Sequence, residues 1–455
     1  MPERSHESLI TIARAIAQRE RSAVATLELH ARRVEALNPQ LNAVVALDLE
    51  RARARAREAD AALARGESWG PLHGVPFALK DCHEVAGVPT TVGSKLFADY
   101  RPARDGAVMR RLRAAGAILI GRTNVAEFLA DYQSHNPVYG RTSNPFDSGS
   151  TSGGSTGGAA AVAAGLTPFD IGTDMAGSVR LPAAFCGVYG LKPTEHRLSA
   201  AGVHPNPQHH PRQVRIVSCV GPLTRTIDDL VFLMDLLGRP DADDVDVPPV
   251  PLSEPSAGAA GLRVACVRSL DDGPIAASSA RARQRTAQAL TACGAIVDEA
   301  PTPAIQLADD LQANGELMDM MLGAFQPQAR KGPKPTFEDH LRAAARRDER
   351  TADLERWFAQ WDVLLCPVTM TNAFAHCETG APIDVDGVPQ PYMRLGAQLA
   401  WFNYTGHPAL AVPVGFDDRG LPLAVQLVAA RWQEGKLFAL ARALASTATP
   451  STPRR

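Results

Sequence analysis

The sequence predicts an α/β fold, a large mixed, twisted sheet covered by helices on both faces. Three observations carry that prediction. Helix and strand signals alternate from about residue 71 to about residue 237, and again after residue 261. The strand candidates are short apolar runs bounded by turn residues. The chain has 455 residues, 45% hydrophobic and 21% charged, close to globular averages and ample for a large core.

In chain order, residues 7–64 read as helices. Leu9, Ile10, Ile12, Ala13 and Ile16 recur at helical spacing, and Asn38-Pro39 is expected to break the pattern. Residues 49–65 are rich in Ala, Arg and Glu. Acids interleave with the arginines, which predicts a solvated helix rather than a nucleic-acid surface. An apolar run, Val75 to Leu79, ends at Lys80-Asp81. A helix is predicted over 107–115, a strand over 117–120, a helix over 159–166 and a strand over 169–172. Residues 239–257, dense in Pro, Asp, Ser and Ala, read as a surface linker. Further strands are predicted over 261–268, 363–368, 409–414 and 421–427, and helices over 279–292, 305–325 and 433–444. The predicted organisation is an N-terminal helical segment (1–65) on one catalytic-size α/β domain (66–446). Variable segments lie near 200–260 and 300–360, and a tail covers 447–455.

Composition excludes several function classes. Lys and Arg number 47 against 49 Asp and Glu, a net charge of −2, so no global positive field attracts nucleic acid or anionic membrane. Aromatics are 5%, too few for single-strand stacking platforms. The start, MPERSHESLI, has no apolar signal region, and no run of about 20 apolar residues predicts a membrane span. Seven scattered cysteines without CxxC pairs argue against disulfides or a zinc ribbon and for a reducing, cytoplasmic setting.

Three stretches are candidates for chemistry. Thr151-Ser152-Gly153-Gly154-Ser155-Thr156-Gly157-Gly158 runs into a small-residue helix; it is a flexible loop or a cradle of amides and hydroxyls. No Lys follows its last Gly, so it is not a P-loop. Gly172-Thr173-Asp174-Met175-Ala176-Gly177-Ser178-Val179-Arg180 is an ordinary turn or a nest of N–H groups for an oxyanion. Lys80 is a strand-end charge or, if held in apolar surroundings, a base, because burial disfavours the ammonium form.

Together with Gly74 to Asp81, Cys186-Gly187 and Gly190-Leu191-Lys192-Pro193-Thr194, these stretches resemble the amidase signature family in order and spacing over about residues 70–200. A weaker likeness continues at Gly406 to Pro413, Gly420-Leu421-Pro422 and Gln426-Leu427-Val428. The resemblance implies the amidase-signature fold and a Ser-cisSer-Lys amide hydrolase without metal or cofactor. It places the nucleophile at Ser178, the bridging serine after a cis Gly154–Ser155 bond at Ser155, and the base at Lys80. It implies an oxyanion hole from the amides of Met175, Ala176, Gly177 and Ser178, braced by Thr173, Asp174 and Arg180. Neutral Lys80 takes a proton from Ser155, Ser155 takes one from Ser178, and Ser178 attacks the carbonyl to form an acyl-enzyme that water then cleaves. Two departures stand out: Ala176 replaces the family's usual Gly, and the Ser155–Ser178 interval is one residue short.

Other residues weigh less. His204, His209 and His210 lack acids or cysteines at ligand spacing and read as a loop at a pocket rim. Cys82 and His83 are adjacent and predicted to point apart, and Cys186 reads as packing. Tyr132, Gln133, Met318, Met321 and Trp401 are expected to line an apolar substrate pocket. The substrate class expected is aryl or alkyl amides, with esters and carbamates (urethanes) as further candidates, and the enzyme a monomer or homodimer. The runner-up is the amidase (glutaminase) subunit of a tRNA-dependent amidotransferase. A nucleotide-binding scaffold is the non-enzyme alternative, and no nucleotide binding is expected.

Overall fold

The computed structural model describes residues 7–204, 217–303, 306–325 and 336–447. Its helices are α1 (Leu9–Ala17), α2 (Ala23–Leu41), α3 (Leu49–Ala64), α4 (Ala107–Ala114), α5 (Gly158–Ala163), α6 (Arg180–Cys186), α7 (Ile227–Leu237), α8 (Ala277–Ala292), α9 (Leu307–Phe325), α10 (Phe337–Phe358), α11 (Ala397–Tyr404) and α12 (Glu434–Thr447). The strands are β1 (Val44–Val45), β2 (Pro76–Lys80), β3 (Ile118–Thr123), β4 (His135–Asn136), β5 (Gly140–Arg141), β6 (Phe169–Asp174), β7 (Tyr189–Lys192), β8 (Cys219–Thr224), β9 (Arg263–Cys266), β10 (Ile296–Glu299), β11 (Val363–Pro367), β12 (Ile383–Val385), β13 (Val388–Gln390), β14 (Ala409–Phe416) and β15 (Pro422–Ala429).

An eight-stranded sheet runs β10-β9-β11-β15-β14-β7-β8-β6. The β10-β9-β11 edge is parallel and the remaining pairs are antiparallel, so the sheet is mixed as predicted. Every residue of β6, β8 and β11 is buried, including both sets of alternating side chains. A strand buried on both sides lies in a sheet covered on both faces. A second sheet, β1-β3-β2, is separate and carries Lys80 at the end of β2. The Phe77 ring on β2 stacks on Phe169 of β6 at 5.3 Å between centroids, so the two sheets lock together beside Lys80. One apolar core runs from Leu9, Ile12 and Ile16 of α1 to Leu440 and Leu444 of α12. A smaller cluster joins α9, α10 and α11 around Trp401, Phe402 and Leu354.

The helix starts are set by local chemistry. Ser8 caps α1 by accepting from Thr11 N at 3.0 Å, and Thr336 and Asp339 form a capping box on α10. The break expected at Asn38-Pro39 does not occur, because α2 continues to Leu41. Pro39 falls in the last turn, where one lost backbone bond is tolerated. The Asn38 carboxamide accepts from Ala43 N and Val44 N, both at 2.9 Å, and turns the chain after the helix. The arginine-rich α3 is a solvated helix as predicted: Arg53 pairs with Glu28, Arg55 with Glu58, and Arg55 lies over the Trp69 ring. No helix of the described residues is long and apolar enough to cross a membrane.

Candidate active site

The site forms where the end of β2 meets β6. Lys80 is fully buried, and its Nζ lies 3.0 Å from Ser155 Oγ, 2.9 Å from Thr173 Oγ1 and 3.2 Å from the Thr173 carbonyl. Burial pushes the Lys80 amine below the ordinary lysine range; Cys82, Asp170 and Asp174 act in the opposite direction. Arg122 of β3 anchors the turn behind it, donating to the carbonyls of Lys80 and His83 at 3.0 and 2.5 Å.

Ser155 is reached through a cis peptide bond, Gly154–Ser155. Its loop packs without clearance. A Cβ on Gly154 would lie 2.5 Å from the Asp131 carbonyl oxygen, and one on Gly153 2.8 Å from Pro182 Cα in α6. Only glycine fits at either place. The Ser155 carbonyl accepts from Ala126 N at 3.0 Å, and Gly157 N donates to the Asn124 carbonyl at 2.7 Å.

Ser178 is half-buried, in the turn between β6 and α6. Asp174 organises that turn. Its carboxylate accepts from Gly177 N (2.8 Å), Val179 N (3.1 Å) and Arg180 N (3.3 Å), and from Arg180 Nε and Nη2 (3.0 and 2.9 Å). Burial alone would raise the Asp174 carboxyl; Arg180 and these amides overcome it and hold it below the usual carboxylate range. Arg180 also donates to Gln426 Oε1, the Leu399 carbonyl and Asn403 Oδ1, and Asn403 Nδ2 donates to the Asp174 carbonyl at 2.8 Å. Thus β15 and α11, over 200 residues away, fix the turn that carries Ser178.

The expected set of oxyanion donors needs one correction. The Gly177 amide is committed to Asp174 Oδ1. Among the described residues, the amides of Met175, Ala176 and Ser178 carry no backbone or side-chain partner. Gly177 contributes shape instead: its φ is +113°, and a Cβ there would lie 2.4 Å from Leu399 Cδ1. Ala176 does not need a positive φ, so the methyl that replaces the family's Gly is accommodated.

The expected pocket residues separate. Tyr132 and Gln133 are buried and flank Gly154. Gln133 donates to the Cys377 carbonyl and, with Asp131, His135, Arg141, His376, Cys377, Glu378 and Thr379, lines a cavity of about 500 Å³. Its lining residues are mostly polar or charged types, where an apolar set was expected. Met318 and Met175 each pack against the smaller apolar cluster. Trp401 is buried with its Nε1 on Asp310, and it lines a second cavity of about 430 Å³ with Trp357 and Arg350. From α11, Leu399 packs at Gly177 and Asn403 donates to the Asp174 carbonyl, so both touch the Ser178 turn. The side chain of Met321 lies outside the described residues, as do His209 and His210. His204 is half-buried between the rings of Phe97 and Tyr100 rather than in an open loop. Cys82 and His83, expected to point apart, both reach β6, Cys82 Sγ at Thr173 Oγ1 and His83 Nε2 at the Ile171 carbonyl. Cys186 is buried and donates to the Ser152 carbonyl. Among the described residues, no three His, Cys, Asp or Glu converge as metal ligands.

The sequence placed Asn403 in a possible lining segment (401–404) but not on the Ser178 turn, and it missed Gln426 and Asp170 as parts of the site. Gln426 stood out in the strand motif at 426–428, but its partner is visible only in three dimensions.

Lys80, the cis-peptide loop of Ser155 and the turn that carries Ser178 thus come together at one end of β2 and β6. The Amidase family model matches residues 25–322 and 317–438. The chain belongs to that family, whose members are C–N hydrolases acting on small-molecule amides. It is 34% identical to AtzE, the 1-carboxybiuret hydrolase subunit of Pseudomonas sp. (strain ADP), over 90% of this chain and 91% of that one. It is also 34% identical to a glutamyl-tRNA(Gln) amidotransferase subunit of Anaeromyxobacter dehalogenans (strain 2CP-C), over 94% of each chain. The solved structure of 6-aminohexanoate cyclic dimer hydrolase complexed with substrate superposes with a TM-score of 0.79 at 27% identity, covering 97% of this chain and 96% of that one.

Proposed function

We propose that this chain is a free-standing serine hydrolase that cleaves linear aryl or alkyl amides, and more slowly esters and carbamates, through Ser178, Ser155 and Lys80. The single observation that carries the reading is the bonding around Lys80 Nζ. A neutral amine has two N–H bonds and one lone pair. The Thr173 carbonyl can only accept, and the Thr173 hydroxyl offers a second acceptor; together they use both N–H bonds. The lone pair then faces Ser155 Oγ at 3.0 Å, the arrangement a base needs. Burial favours that neutral form.

In this mechanism Lys80 takes the Ser155 proton as Ser155 takes that of Ser178. Ser178 Oγ bonds to the substrate carbonyl carbon, and the negative oxygen is held by the free amides of Met175, Ala176 and Ser178. The relay returns the proton to the leaving amine, the C–N bond breaks, and the same relay activates the water that frees the acid. The apolar part of the substrate packs toward Met175 and Met318, while a polar end faces the cavity beside Gln133 and Arg141.

A sulfonyl fluoride such as phenylmethanesulfonyl fluoride tests the roles without knowledge of the substrate. Intact-mass and peptide analysis should locate one adduct on Ser178. Ser178→Ala should abolish labelling and turnover of an anilide panel, and Lys80→Ala and Ser155→Ala should lower both at least about 10²-fold. An adduct elsewhere, or full turnover by Ser178→Ala, overturns the assignment. The equal likeness to an amidotransferase component supports a second reading. Glutamine cleavage that appears only with partner chains would favour it.

A further inference from the structure

One buried carboxylate near Lys80 has no part in the relay. Asp170 is fully buried at the second position of β6. Its Oδ2 accepts from Thr123 Oγ1 at 3.2 Å and from Thr156 Oγ1 at 3.3 Å. Its Oδ1 has no hydrogen-bond partner. Thr123 is the β3 residue in register with Lys80, and Thr156 directly follows Ser155. Asp170 therefore joins the strand beside the base to the loop of the bridging serine. The fit is tight, since a Cβ on Gly158 would lie 1.6 Å from Asp170 Oδ2. A buried carboxyl with an unsatisfied oxygen is costly, and a core strand position could have taken an apolar residue.

Resting on the relay proposed above, we infer that Asp170 is a positioning residue for the reaction: its fixed negative charge sets the proton affinity of Lys80, and its hydrogen bond to Thr156 holds the Ser155 loop. The charges around Lys80 are few. Asp170 and Asp174 face it from β6, Cys82 and His83 follow it on its own segment, Asp81 lies beside it, and Arg122 reaches in from β3. Asp174 is already neutralised by Arg180. Among the described residues Asp170 forms no ion pair, and Lys80 is the charged group that acts most strongly to keep it ionised. Burial raises Asp170 to about 6 all the same, so it is ionised over the range in which a lysine base would begin to work.

The sign of the effect follows. An ionised Asp170 favours ammonium at Lys80 and so raises the pH at which the base becomes neutral. Removing the charge should move the acid limb of activity to lower pH. The test is the rate of Ser178 labelling by phenylmethanesulfonyl fluoride from pH 5 to 9.5, read by intact mass, for wild type and Asp170→Asn. The expected result is a half-maximal pH lower by about one unit in Asp170→Asn. A slower rate with an unmoved midpoint overturns the inference, because a purely structural role changes amplitude only. If Asp170→Asn does not fold, Thr123→Val and Thr156→Val each remove a donor that favours the ionised carboxyl and so raise the share of neutral Asp170. They should shift the midpoint in the same direction by less, and an unmoved midpoint in both is again a refutation. Lys80→Ala separates the two levels. Wild-type labelling in that variant refutes the base itself, whereas loss of labelling together with an unmoved Asp170→Asn midpoint refutes only the role of Asp170.

Discussion

Replacing Asp174 by Asn should destabilise the protein by about 3–5 kcal/mol at pH 7.5 and slow labelling of Ser178 by about 10² or more. The stability figure follows from the geometry. Five N–H donors converge on two carboxylate oxygens, two on Oδ1 and three on Oδ2. Whichever oxygen becomes an amide NH2, at least two buried donors face another donor and lose their partner. Arg180, fully buried, keeps its charge and loses its counter-ion. An uncompensated buried charge is the most costly of these losses. The activity figure follows because the turn held by Asp174 also aims the amides of Met175, Ala176 and Ser178. Urea unfolding measures the first and sulfonyl fluoride labelling the second. The pH dependence supplies an internal check. The Asp174 carboxyl is held below its unfolded value, so its contribution is present above about pH 4 and fades as the pH falls further. The deficit of Asp174→Asn should stay constant from pH 8 to 5. Asp174→Asn combined with Arg180→Met removes both charges and should recover part of the loss. A loss below about 1 kcal/mol, or a deficit that shrinks between pH 8 and 6, would refute the reasoning.

Gly177→Ala should fold less stably by about 1–3 kcal/mol and label at least about 10²-fold more slowly, from its positive φ and the clash with Leu399. Adding Leu399→Ala should relieve the clash but not the backbone, so complete rescue of labelling would contradict this account. Gly158→Ala should cost about 1–3 kcal/mol by urea unfolding, because the methyl meets Asp170. Combining it with Asp170→Ala should return part of that, and strict additivity of the two losses would show that the contact is not the cause. His30 and His83 are fully buried and depressed to about 3, mainly by burial and then by neighbouring cations. A histidine depressed in the fold stabilises fully above its unfolded value near 6.5 and loses that stability as the pH falls. Stability should therefore drop by about 1.4 kcal/mol for each histidine between pH 7.5 and 5.5. His30→Leu should lose about 1.4 kcal/mol less than wild type over that interval, and an equal loss in both would remove His30 from the account.

What was legible in the sequence was whatever a short stretch of chain determines by itself. The Gly/Ser loop at 151–158 and the turn at 172–180 stand out through their glycines, and Lys80 closes a short apolar run bounded by turn residues. Helix α3, strands β6, β11 and β14, and helix α12 lie within a few residues of the predicted bounds for the same reason. What failed to show depends on partners far along the chain. Pro39 looks like a break because local rules forbid it mid-helix; its position in the last turn depends on where α2 stops. Gly177 looks like an oxyanion donor until Asp174 is seen to occupy its amide. Trp401 and Asn403 sit two residues apart on α11, so they face different neighbours, and only packing tells which one meets the Ser178 turn. Asp170 reads as one residue of an apolar strand because its partners, Thr123 and Thr156, lie on other elements.

The division of the site between two sheets has a consequence for how stability and activity are coupled. Lys80 belongs to the β1-β3-β2 sheet, whereas Thr173 and the Ser178 turn belong to the eight-stranded sheet. Among the described residues no strand pairing joins the two, and beside the main-chain bonds from Ala126 to Ser155 and from Gly157 to Asn124 their alignment rests on side chains: the Phe77–Phe169 stack, the bonds of Lys80 to Thr173, that of His83 to the Ile171 carbonyl, and the bridge from Thr123 through Asp170 to Thr156. Apolar stacking tolerates small slips, but hydrogen bonds between buried groups fall off steeply with distance and angle. The polar bridges must therefore set the register of the relay while the rings supply most of the adhesion. Substitutions in the Phe77–Phe169 stack should then lower stability more than the rate of labelling at a temperature where the protein is folded. Substitutions at Thr173 or Thr123 should do the reverse. Phe77→Leu and Thr173→Val, compared by urea midpoint and by labelling rate at about 25 °C, would decide it: proportional losses in both variants would mean that the two sheets move as one body and that no such division exists.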